Sequence, residues 1–89
     1  MRNIDELILK IMTPNKIIYQ GEISYIKVRT TVGDIGILSN HTSYVGLIND
    51  GMVVIKDLNE NKKQFICGNG IIKAKNNIVL IAVTTATSE

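Results

Sequence analysis

Apolar residues fall into short runs along the whole chain, and clusters of turn-forming residues separate one run from the next. That rhythm is the mark of an all-β sandwich or barrel. It predicts strands at 7–12, 17–19, 23–30, 36–38, 44–47, 52–56, 64–67, 71–75 and 78–83. No segment carries the 3.6-residue apolar spacing of a long amphipathic helix, and none has an N-cap leading into one. The turn chemistry agrees. Thr13-Pro14-Asn15 ends the first strand, since proline cannot donate to a continuing ladder. Asn49-Asp50-Gly51, Asn59-Glu60-Asn61 and Asn76-Asn77 sit between apolar runs, and asparagine tolerates the positive φ of tight hairpins.

Composition strengthens the β reading. Sixteen Ile, seven Val and seven Thr stand against three Ala, and β-branched side chains suit a pleated surface better than a helix. With 89 residues the chain is expected to be one domain, residues 1–89, burying about 60% of its unfolded surface. The net charge of +2 is weak and Lys62-Lys63 is the only adjacent basic pair. There is no stripe to neutralise a run of phosphates, so nucleic acid is not an expected partner. A single cysteine excludes a disulfide framework and a zinc quartet, and suits a reducing compartment. Asp5, Glu6 and Lys10 interrupt the apolar N-terminal stretch, and the longest apolar run, 78–83, is far below the ~18 residues that span a bilayer. A soluble chain without direct membrane insertion is expected.

Few residues offer chemistry. His41, the only histidine, follows Asp34 by seven positions and adjoins Thr42 and Ser43. A general base needs an orienting partner and a substrate in hydrogen-bond reach. A small β-sandwich hydrolase or ligand-binding module using Asp34 and His41 is therefore one reading, and a histidine bonded to the backbone of an irregular turn is the other. No second His or Cys stands at ligand spacing, so no metal is expected. Cys67 lies in the apolar run Phe65-Ile66-Cys67 and reads as a small packing residue. Gly68-Asn69-Gly70 lacks the lysine and helix of a phosphate loop and reads as a bulge or tight bend. Asn40-His41-Thr42 is a glycosylation sequon, of consequence only in a secreted protein. Four aromatics, Tyr19, Tyr25, Tyr44 and Phe65, make a poor stacking platform for an oligonucleotide-binding barrel. The unusual feature is apolar content beside turn residues: Val32, Ile35, Ile37 and Leu38 crowd the segment that holds Gly33, Gly36 and Asn40. Such side chains either meet a partner or fold back over the core. Val32 and Ile35 are expected outside, Ile37 inside.

At these residues the sequence resembles a known family. TPNKIIYQGEI at 13–23 is similar to the "TP…vY.GEv" opening of the epsilon subunits of F-type ATP synthases, and GDIGILSNH at 33–41 to their "G(D/E)IGILPGH" loop. LINDGMVVI at 47–55 resembles "L..G.l.I", and residues 65–82 resemble "f.v.GGf.ev..n.v.vlA". The motifs keep the family's order and closely similar spacing over nearly the whole chain. Two departures stand out. Ser39-Asn40-His41-Thr42-Ser43 replaces the proline-flanked Gly-His pair, with Asn40 able to supply glycine's positive φ. Asn69 replaces the first glycine of the later pair.

The resemblance implies a flattened antiparallel β-sandwich of about ten short strands, in the central stalk of the rotary enzyme. It implies no catalysis and no cofactor, one surface on the gamma subunit, and one end on the polar loops of the c-ring. It further implies one copy per complex, peripheral on the cytoplasmic face of a bacterial inner membrane. Val32, Gly33, Asp34, Ile35 and Gly36 match the c-ring contact, with Asn40 and His41 shaping the neighbouring turn and an exposed Asp34 offering negative charge to basic c-ring loops. Gamma-contact residues are not assigned. The family's C-terminal helical pair, with its inhibitory and nucleotide-sensing roles, has no counterpart in these 89 residues, which read as a short form or as an isolated N-terminal domain.

Overall fold

The computed structural model describes residues 7–37 and 43–88. They form eight strands: β1 Leu7–Met12, β2 Ile17–Thr30, β3 Gly33–Ile37, β4 Tyr44–Asp57, β5 Lys62–Cys67, β6 Gly70–Lys75, β7 Ile78–Val83 and β8 Ala86–Ser88. β2 and β4, at 14 residues each, run through both layers of a flattened sandwich. The first halves of β2 and β4 flank β1, β7 and β6 in layer A. Their second halves pair with one another in layer B, between β3 on one side and β5 and β8 on the other. Each layer thus has five strand segments, and the β2–β4 pairing closes the sheet into a barrel-like ring.

The expected count of about ten short strands therefore corresponds to ten segments, built from eight continuous strands. Asn49-Asp50-Gly51 does not separate two strands as expected. It is a kink inside β4, with Asp50 at φ 44° and a register shift against β2 between Val28 and Thr30. The matching kink in β2 lies at Ser24, where Ile23 pairs with Asp57 and Tyr25 with Lys56. One extra residue there turns the strand and resets which side chains face inward. The Ser24 hydroxyl meets the carbonyls of Lys56 and Asp57 at 3.3 and 3.2 Å. Not every pairing is antiparallel: β1 and β7, remote in sequence and joined by no hairpin, run parallel.

Other turns follow the sequence. β1 ends at Met12, before Pro14. Asn76 and Asn77 both take positive φ, 53° and 62°, between the paired Lys75 and Ile78, the backbone of a two-residue primed hairpin. The core is aliphatic. Leu7, Leu9, Ile11, Ile72, Val79 and Ile81 from layer A meet Ile26, Val28, Val53, Ile55 and Phe65 from layer B, all buried. Tyr19 packs edge-on against Phe65, with ring centroids 5.8 Å apart.

Candidate functional site

The segment singled out in the sequence is the β2–β3 hairpin. β3 begins at Gly33, three residues before the expected strand start, because the long second half of β2 supplies a partner as far as Thr30. Thr30 closes the turn. It is the only buried polar residue among the described residues, and its hydroxyl donates to the Gly33 carbonyl at 2.7 Å while accepting the Val32 N–H at 3.2 Å. Gly33 takes φ 120°, a region that side-chain-bearing residues avoid. These constraints push Val32 to the tip, 84% exposed.

Beyond the tip, alternation decides the faces. Asp34 and Gly36 point to solvent, while Ile35, paired with Val28, is half-buried and packed against the core. The expectation that Ile35 stands outside is corrected by this register; Ile37 is buried as expected. Gly36 lies under the Tyr25 ring, close enough that a Cβ there would come within 3.3 Å of it.

Asp34 is exposed, yet its charge is not free. Its carboxylate accepts from Arg29 Nε at 3.1 Å and lies 3.8 Å from Lys27 Nζ. The hairpin's solvent face thus pairs one acid with two bases, so the expected negative offering becomes a compensated, slightly basic patch. Lys27 and Arg29 were not among the expected site residues, although their alternation with Ile26, Val28 and Thr30 in IKVRT places them on the Asp34 face. Behind them lies an open groove of about 380 Å³, lined by Asp50, Gly51, Met52 and Ile66 besides the three charged residues. Gly51 lets Arg29 lie across β4, because a Cβ at Gly51 would fall 2.6 Å from Arg29 Cβ.

Asn40 and His41 lie outside the described residues, and with them the Asp34–His41 pairing. Among the described residues no cluster of three His, Cys, Asp or Glu could hold a metal ion. No helix there is long and apolar enough to cross a membrane. Cys67 is buried, and burial pushes its thiol up to about 11, which leaves little thiolate for nucleophilic chemistry. The bend at Gly68 and Asn69 joins β5 to β6, as expected.

Comparison with known proteins fits this geometry. Residues 6–89 match the family model described as "ATP synthase, Delta/Epsilon chain, beta-sandwich domain". The chain is 38% identical over 79 residues to an ATP synthase epsilon chain from Clostridium novyi, covering 88% of this chain and 60% of that one. It is 34% identical over 78 residues to a chloroplastic ATP synthase epsilon chain from Pelargonium hortorum, covering 88% and 58%. The chain thus spans about three-fifths of the length of these relatives. Among solved structures, a chain of the Euglena gracilis mitochondrial ATP synthase (OSCP/F1/c-ring) superposes with a TM-score of 0.90 at 23% identity, over 98% of this chain and 56% of that one. One from the Tetrahymena thermophila mitochondrial ATP synthase (central stalk/c-ring) gives 0.73 at 16% identity, over 91% and 65%. At such identities the likeness concerns the fold.

Proposed function

Because the chain belongs to the family of ATP synthase delta/epsilon-chain β-sandwich domains, we propose that it is a non-catalytic rotor component of an F-type ATP synthase central stalk. In this reading residues 1–89 act as one domain. The domain seats on the gamma subunit and meets the c-ring through the hairpin at 32–36, so that ion-driven rotation is coupled to ATP synthesis. It occurs once per complex, peripheral on the cytoplasmic face of a bacterial inner membrane.

The observation that carries the proposal is the hairpin itself. Thr30 and Gly33 brace a tip that projects an apolar side chain into solvent. On a turn held by these bonds the Val32 side chain stands clear of the core, where a loop residue can meet a neighbour. Asp34, held between Arg29 and Lys27, fixes register with a polar surface more than it adds affinity. Torque needs a stiff part, and a closed sheet supplies one. The direct test is co-elution with the purified cognate gamma subunit on a sizing column. A shared peak is expected; separate elution at micromolar concentrations contradicts the proposal.

A further inference from the structure

The bend between β5 and β6 carries a reactive pair of residues. Asn69-Gly70 is the one place in the chain where glycine follows asparagine. Glycine has no Cβ to shield its backbone nitrogen, so in an open chain that nitrogen reaches the preceding side-chain amide more readily than any other residue's would. Packing imposes the glycine. A Cβ at Gly70 would run into the Ala82 carbonyl oxygen and stand 2.7 Å from Val83 Cα, so β7 can approach only a residue without a side chain. The asparagine belongs to this chain, since it stands where the family motif has the first of two glycines. Its side chain is exposed.

We propose that Asn69 is a deamidation site which the folded sheet holds inactive by bonding the peptide group between Asn69 and Gly70 at both ends. The Asn69 carbonyl accepts the Thr84 N–H at 2.9 Å. Gly70 pairs with Val83 of β7 and with Ile48 of β4. In antiparallel ladders a residue turns its N–H and C=O toward the same neighbour, and successive residues alternate. With Asn69 bonded on the β7 side, Gly70 therefore turns both groups toward Ile48. Ile48 is set to receive them, because the preceding Leu47 carbonyl faces the other way and accepts the Thr31 N–H at 3.0 Å. The Gly70 N–H thus donates to the Ile48 carbonyl. Ring closure requires the peptide plane to rotate until the Gly70 nitrogen meets Asn69 Cγ, and both bonds oppose that rotation.

Once they open, the deprotonated Gly70 nitrogen attacks Asn69 Cγ. A C–N bond forms, the bond from Cγ to the side-chain nitrogen breaks, and ammonia leaves. Water then opens the five-membered imide at one of its two carbonyls. Attack at Cγ gives aspartate, and attack at the backbone carbonyl gives isoaspartate. One water is consumed, one ammonia is released, and a carboxylate replaces the amide. The isoaspartyl product carries an extra methylene in its backbone, so Gly70 cannot return to register with Ile48 and Val83 together. Ile48–Gly70 is the last pair of the β4–β6 ladder, where a sheet frays first, and the reaction reports the opening of that end.

The test incubates the chain in mildly alkaline buffer, folded and in strong urea, and follows each asparagine by peptide mapping with mass spectrometry. In urea Asn69 is expected to convert faster than Asn76 or Asn77, whose following residues carry side chains. In the folded chain its rate is expected to fall at least about tenfold, and to rise in step with exchange of the Gly70 amide as urea is added below the unfolding transition. The isolated isoaspartyl form is expected to melt below the unmodified chain. Conversion in urea no faster than at the other asparagines overturns the assignment of the site. Equal rates in the folded and unfolded chain, or a folded rate indifferent to Gly70 amide exchange, overturns the protection by the sheet. The rotor reading rests on the hairpin and stands under any of these results.

Discussion

At the scale of single residues, three positions separate conformation, charge and capping. Gly33 has no neighbour within 4 Å of where a Cβ would stand, so its constraint is the backbone alone, at φ 120°. Gly33→Ala is expected to cost about 1–3 kcal/mol through strain without a clash, read as a lowered melting temperature. Asp34→Ala removes an exposed ion pair of the kind worth about 0–1 kcal/mol. Its melting temperature should stay near wild type while rotation-coupled ATP synthesis in the assembled enzyme falls; a drop comparable to a core truncation would contradict the exposed placement. Asp57 caps the β4–β5 turn. The Asn61 N–H foremost, and the Asn59 N–H beside it, donate to its carboxylate at 2.9 and 2.8 Å, and these bonds hold its carboxyl below the ordinary value. A group whose pKa is lower in the folded state stabilises above its unfolded pKa and loses that contribution as pH falls through the folded one. Acid denaturation should therefore be partly blunted in Asp57→Asn, whose amide oxygen still accepts both bonds, when melting is followed from neutral pH to below the carboxylate range.

At the scale of elements, the two long strands matter most. β2 and β4 each change layers at a kink, and each kink depends on a small residue. Gly51 lies beneath the stem of Arg29, so the Gly51→Ala methyl meets Cβ and Cγ at 2.6 and 3.1 Å, too near the backbone to swing aside. The strand pair must separate, an overpacking cost of about 1–3 kcal/mol. The same shift should break the Arg29–Asp34 hydrogen bond, visible as a changed Arg29 Nε–H resonance. Strand existence was largely legible in the chain. β1 and β7 keep their expected limits, since isolated apolar runs between turn residues leave little choice. The joined strands were not legible, because Gly21 and Asn49-Asp50-Gly51 look like breaks until the paired strand shows them to be inside a ladder. β8 escaped as well. Residues 86–88 carry no apolar run, and they are extended because the edge of β5 offers them hydrogen bonds.

At the scale of the whole molecule, stability is concentrated in one aliphatic core between the layers. Ile81, fully buried at its centre, is expected to cost about 2–5 kcal/mol when cut to alanine. That is a large part of the 5–15 kcal/mol typical of a folded domain, and a urea titration should show a lower midpoint at unchanged slope. The same closed core holds the hairpin tip at one place and, at another, the lysine-flanked face of layer A, where Lys10 and Lys73 stand either side of Leu80. Both surfaces are therefore fixed relative to one another on one closed sheet.

The chain alone determined that the protein is built of strands, where most of them lie, that asparagine and glycine turn the backbone at 33 and 76–77, and which family it resembles. Those properties are local: β-branched side chains, positive-φ residues and proline act on their own few neighbours. The tertiary structure alone decided that ten segments are eight strands, that Ile35 turns inward, that β1 and β7 run parallel, and that lysines bracket an apolar column. Each depends on register between segments far apart in sequence, and a one-residue shift in register exchanges the two faces of a strand.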